Sequence, residues 1–197
     1  MKRSASISIR AAILALAALT PSLAFAHSGG DHVLGFQSGL EHPLLGFDHL
    51  LAMVVIGAIA ARTGGPGCVL VPLSFVSAMV TGAMLGMADI GLPYLETGIA
   101  LSLVTFGTMV GLAKPLPLAA ATALATLFGL FHGNAHGFEI PESASGVAYA
   151  AGFVFGTSAL HAVGALFALK LARWPGTIRA VGFATSMIGL TLATQTM

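Results

Sequence analysis

From about residue 43 to the C-terminus, long apolar runs alternate with short breaks of glycine, proline and charged residues. The runs cover about 43–61, 68–87, 91–113, 115–133, 145–169 and 177–195. Each approaches the roughly 20 apolar residues that a helix needs to cross the hydrocarbon core. The pattern predicts an all-α polytopic membrane protein with six transmembrane helices. Pro43, Pro93, Pro115 and Pro117 fall near the expected helix starts, where a missing N–H does little harm. Gly82/Gly86, Gly107/Gly111, Gly129/Gly133 and Gly152/Gly156 form small-xxx-small pairs that let helices approach closely.

The N-terminus has a different pattern. "MKRSASISIR" is basic, "AAILALAAL" is a short apolar core, and "AFA" (Ala24, Phe25, Ala26) is an A-x-A cleavage site. The core is too short for a comfortable span, and the A-x-A site argues against an uncleaved anchor. The expected organisation is a cleavable signal peptide at 1–26, a periplasmic N-terminal segment at 27–41, and a six-helix transmembrane domain at 42–197. His27 becomes the first mature residue.

Charge then sets the orientation. With the N-terminus exported, Arg62, Lys114, Lys170, Arg173 and Arg179 all fall on the cytoplasmic side. Asp31, Glu41, Asp89, Glu139 and Glu142 fall outside. This separation obeys the positive-inside rule, and a missed or extra span would scramble it. The expected location is the bacterial inner (cytoplasmic) membrane, multi-pass, with a periplasmic N-terminus.

Composition agrees. The chain has 197 residues, 56% hydrophobic and 8% charged, against about 25% charged in soluble domains. Mean hydropathy is +0.94. The formal net charge of +1 gives no reason to expect nucleic-acid binding. The single cysteine, Cys68, excludes an intrachain disulfide.

Against this background the titratable residues in the spans stand out. A charged group inside a span costs roughly 2.5–3.5 kcal/mol on insertion scales, so it needs a partner or a function. The first span carries "EHPLLGFDHLLAM", with His42, Asp48 and His49 at its head. Asp48 and His49 are expected about 8–9 Å below the outer edge, and Glu96 in the third span at a similar depth. The fourth span runs outward and ends on His132 and His136. Three spans therefore deliver imidazoles and carboxylates to one level, a donor set suited to borderline divalent metals.

Spacing adds detail. His42 and His49 share a helix face but stand about 10 Å apart along a straight axis, so they share one ion only if the chain bends at Pro43. His132 and His136, at i and i+4, can chelate one metal. The interleaved "GNAHG" leaves two readings open, an intact helix or a broken helix end lining a cavity. His161, in the fifth span, is either a satisfied interior group or a deeper relay. Met79, Met84 and Met87 fit adaptable packing better than soft-metal ligation. In the tail, "HSGGDH" offers His27, Asp31 and His32 as a capture site, or is simply solvated.

"HPLLGFDHLLAM" and "FHGNAHG", together with a histidine directly after the cleavage site, resemble the HupE/UreJ family of small bacterial membrane proteins. The resemblance implies a nickel or cobalt permease that accompanies hydrogenase or urease maturation systems. It places His42, Asp48, His49, His132 and His136 at the metal-handling positions. The first motif also resembles the broader nickel/cobalt transporter pattern H-x4-D-H. Here five residues separate His42 from Asp48, so the coordination geometry of that group does not transfer directly.

The function expected is uptake of Ni²⁺ or Co²⁺ from periplasm to cytoplasm, with the ion as substrate and no cofactor. The metal-handling residues are His42, Asp48, His49, Glu96, His132, His136 and His161, with His27 and His32 in the tail. The partners are the ion and the bilayer. Two other classes remain: an intramembrane metal-dependent hydrolase, and a metal-binding sensor or chaperone subunit. H-E-x-x-H and G-x-x-x-x-G-K-[ST] are both absent. Six helices also allow an inverted 3+3 repeat, under which the Asp48–His49 and His132–His136 sites become counterparts.

Overall fold

The structure is a computed structural model that describes residues 35–114, 116–140 and 146–196. The expected signal peptide, His27, Asp31, His32, Pro115 and Glu142 lie outside the described residues. Among those residues there are seven α-helices and no strand. They are α1 (Phe36–Leu45), α2 (Phe47–Thr63), α3 (Gly67–Met87), α4 (Leu95–Leu112), α5 (Leu118–Glu139), α6 (Gly146–Leu171) and α7 (Pro175–Gln195). Helices α3 to α7 are each long and apolar enough to cross a membrane. Helices α1 and α2 pass the same test only together, and they meet at an angle of 91°.

The apolar runs therefore mark helices well, with two informative differences. The first helix starts at Phe36, inside the stretch expected to precede the spans, and Pro43 lies within it rather than at its start. The reason is packing: the backbone at Phe36 and Leu40 lies against Gly152 and Gly156 of α6, where no side chain intervenes. Pro43 removes one i→i−4 bond in the last turn of α1. The helix then ends at Gly46, an extended residue (φ −96, ψ 118), and α2 restarts with Leu50 N–H donating to the Gly46 carbonyl at 2.9 Å.

The second difference is that α5 runs unbroken through "GNAHG" to Glu139. Each glycine costs about 1 kcal/mol of helix propensity. Here that cost is offset by contact, because a Cβ on Gly133 would overlap the Met79 carbonyl and one on Gly137 the Ala83 carbonyl. Asn134 works with them. Its side chain accepts from Leu92 N–H at 2.8 Å and donates to the Ile90 carbonyl at 2.8 Å, pinning the α3–α4 connection to α5.

Three helix pairs dominate the packing: the bent α1–α2 element with α6, α3 with α5, and α4 with α7. Glycines set each contact, as small residues do where backbones approach closely. Contacts advance in step from Phe75–Gly129 through Met79–Gly133 to Ala83–Gly137, so α3 and α5 run parallel. Gly107 and Gly111 meet Gly182, Ala100 meets Gly189, and Thr97 bonds Thr196, so α4 and α7 are antiparallel. Down α6, Gly152 meets Phe36, Gly164 meets Val54, and the His161 carbonyl meets Gly57. The two halves of the bent element thus follow α6 in one direction. Large apolar side chains such as Leu73, Phe155, Leu166 and Phe167 are exposed, as expected of a multi-pass membrane protein.

These contacts make a prediction. Gly133→Ala should destabilise the protein by about 1–3 kcal/mol, because the α3 backbone cannot yield as a side chain would. Gly176→Ala, in open space, should leave the melting temperature in detergent unchanged or slightly raised.

Candidate metal site

The bend at Gly46 decides the site. A straight helix would hold His42 and His49 about 10 Å apart. The 91° turn lets both reach His136 of α5: His42 Nε2 lies 2.8 Å from His136 Nδ1, and the His49 and His136 ring centroids are 4.3 Å apart.

Glu139, one turn beyond His136, completes the outer part. Its Oε2 is 2.9 Å from His42 Nε2 and 3.1 Å from His136 Nδ1. These three atoms form a triangle with sides of 2.8, 2.9 and 3.1 Å. Neighbouring donors around a six-coordinate ion with bonds near 2.1 Å are about 3.0 Å apart, and around a four-coordinate ion about 3.4 Å. The triangle therefore has the size of one octahedral face. Two imidazoles and one carboxylate on a face, with the other positions open, form a recognised transition-metal donor set. Hydrogen bonds alone do not satisfy it. Each nitrogen carries at most one in-plane proton, and if both protons point at the carboxylate the two nitrogens face each other unbonded. The side chain of His136 is 4% exposed and that of Glu139 52%, so the carboxylate stands at the mouth. Tyr149 and Phe153 of α6 wall the site, with the Phe153 ring 5.8 Å from His42 and 4.5 Å from His136.

A second tier lies against the first. Asp48 accepts from His49 N–H at 2.9 Å and from His49 Nδ1–H at 3.0 Å. His132 Nδ1–H donates to the Phe128 carbonyl at 2.9 Å. Both bonds fix the tautomer and leave Nε2 with its lone pair, the orientation typical of metal-ligating histidines. His49 Nε2, His132 Nε2 and His136 Nε2 are all buried without a hydrogen-bond partner. The His49 and His132 rings are 5.0 Å apart.

The structure thus brings together His42, Asp48, His49, His132 and His136. His161 is buried deeper, separated from His132 by Phe75, whose ring centroid lies 5.4 Å from His132 and 5.5 Å from His161. Glu96 is exposed in the first turn of α4 and makes no hydrogen bond or ion pair among the described residues. His27 and His32 lie outside the described residues. Sequence reasoning missed Glu139 by ending the fourth span at residue 133. The sign was present: His132, His136 and Glu139 stand at i, i+4 and i+7, one face of a continuous helix.

The family model described as "HupE / UreJ protein" matches residues 14–192. The chain belongs to the HupE/UreJ family. It is similar to Protein HupE of Rhizobium leguminosarum bv. viciae, at 39% identity over 180 residues, covering 90% of this chain and 94% of that one. No solved structure matches. Within this HupE/UreJ chain, the resembling motifs "HPLLGFDHLLAM" and "FHGNAHG" supply the bent element and the end of α5, the two sides of the site.

Two substitutions test it. Glu139→Gln keeps the shape and removes the charge; Asp48→Ala removes the acceptor that orients His49. Each should weaken Co²⁺ or Ni²⁺ binding to purified protein about 10–100-fold without loss of fold, as measured by titration calorimetry.

Proposed function

We propose that the protein takes up Ni²⁺ or Co²⁺ from the periplasm to the cytoplasm, in six spans, as a secondary transporter or channel of the inner membrane. The observation that carries this is the His42–His136–Glu139 triangle, of a size that fits a transition-metal ion. Family membership supports it, because HupE/UreJ proteins are associated with nickel and cobalt uptake and with hydrogenase and urease systems.

Two features support six spans. Both parts of the bent α1–α2 element follow α6 in one direction, as a broken span does and a re-entrant loop does not. Numbering the spans in order, the dominant pairs are first with fifth, second with fourth, and third with sixth. Exchanging the two halves maps this set onto itself, which favours a 3+3 repeat. Such an exchange keeps chain direction, so the first span, from Phe36 through α2, maps as a whole onto α5.

Transport follows from the order of donors. Glu139 meets the cation at the mouth and lowers its electrostatic cost. His42 and His136 replace part of its hydration shell. His49 and His132 offer further lone pairs inward, held in place by Asp48 and the Phe128 carbonyl. Two imidazoles and one carboxylate leave open positions, so the ion is held without being trapped. Glu96, exposed in the first turn of α4, would add negative charge near its mouth.

The test is Ni²⁺ and Co²⁺ uptake into proteoliposomes. His42→Ala and Glu139→Gln should each reduce initial flux at least about tenfold. Glu41→Gln, which alters an exposed carboxylate bonded to Gln37, should leave flux unchanged. Equal flux in all four proteins would overturn the proposed path. Metal binding without flux in the parent would favour a sensor or chaperone role.

A further inference from the structure

The outer site leaves one buried pair unused. Thr157 and His161 stand at i and i+4 on α6, on one face, with 0% and 3% exposure. Thr157 Oγ1, His161 Nδ1 and His161 Nε2 have no hydrogen-bond partner.

Local chemistry makes this unusual. Five helical threonines elsewhere, Thr63, Thr81, Thr122, Thr185 and Thr191, donate to the carbonyl four residues back. His132 does the same through Nδ1. Thr157 and His161 make no such bond. Polar groups buried without a protein partner are costly unless something else partners them.

Position points to what visits. His161 follows Phe153, which walls the outer site, by eight residues, or about 12 Å along α6. Phe75 borders both His132 and His161, so no other titratable ring intervenes between the two tiers along that line. We infer that Thr157 Oγ1 and the His161 imidazole form a second, carboxylate-free station for the same borderline divalent cation, inward of the outer cluster. This rests on the uptake reading. One imidazole and one hydroxyl, both neutral, bind more weakly than two imidazoles with a carboxylate, and most of the ion's positions stay with water. A weaker inner station lets the ion move on, as conduction requires. Its imidazole still favours Ni²⁺ and Co²⁺ over Mg²⁺ and Ca²⁺.

The experiment uses the full chain with His161→Leu and Thr157→Val, reading three quantities with Ni²⁺ as probe. Uptake into liposomes should fall at least about tenfold in His161→Leu and less in Thr157→Val. Ni²⁺ affinity of the outer cluster should not change. The melting temperature should hold or rise, because an unsatisfied polar group has been replaced by an apolar one. A structural role would instead lower the melting temperature in both variants, and that outcome overturns the station. Normal uptake in Thr157→Val and His161→Leu overturns it as well, and if His161→Leu fails to fold, Thr157→Val decides alone. Glu139→Gln separates the two readings. Reduced uptake there with normal uptake in both α6 variants rejects only the inner station, whereas normal uptake in Glu139→Gln rejects the path itself.

Discussion

Inside a bilayer, an imidazole nitrogen that finds no partner in the protein finds none in the lipid either. Yet four histidines, His49, His132, His136 and His161, bury five ring nitrogens without a hydrogen bond. The two other unpartnered buried polar atoms among the described residues, Tyr149 OH and Thr157 Oγ1, belong to α6, beside the same histidines. Elsewhere the protein satisfies such groups readily, through back-bonded threonines and through Asn134, which makes three hydrogen bonds. The exceptions are therefore local, at the histidines and on the α6 face beside them. Under the proposed uptake, a cation passing the histidines would supply partners that the protein does not.

The packing serves this arrangement. Glycines at Gly133 and Gly137 bring the end of α5 onto the α3 backbone, which keeps the helix continuous and carries His136 and Glu139 to the site. Glycines at Gly152, Gly156 and Gly164 bring the bent α1–α2 element onto α6. The turn at Gly46 then places the His42 and His49 rings both against His136. Asp48 and the Phe128 carbonyl each hold a histidine Nδ1–H, so the free lone pairs are fixed before any ion arrives.

Much of this was legible in the sequence. Apolar run length located α3, α4, α6 and α7 to within a few residues, because lipid requires length and apolarity and little else. Titratable residues in or beside the first and fourth runs marked His42, Asp48, His49, His132 and His136, because each is costly there. What was not legible depended on partners distant in the chain. Phe36 and Leu40 become helical by docking on α6, which no local pattern encodes. "GNAHG" reads locally as a breaker, and only the α3 backbone makes it a packing surface. Glu139 was lost with that misplaced end. Glu96 shared the expected depth of the cluster, but depth along an axis does not say which way a side chain faces.

The central claim is that His42, His136 and Glu139 hold one ion on a single face. The most direct measurement is a structure of the Ni²⁺-loaded protein with anomalous diffraction at the nickel edge. The account predicts a peak within about 2.1 Å of His42 Nε2, His136 Nδ1 and a Glu139 carboxylate oxygen. A nickel peak elsewhere, with that triangle unoccupied at saturating Ni²⁺, would contradict it.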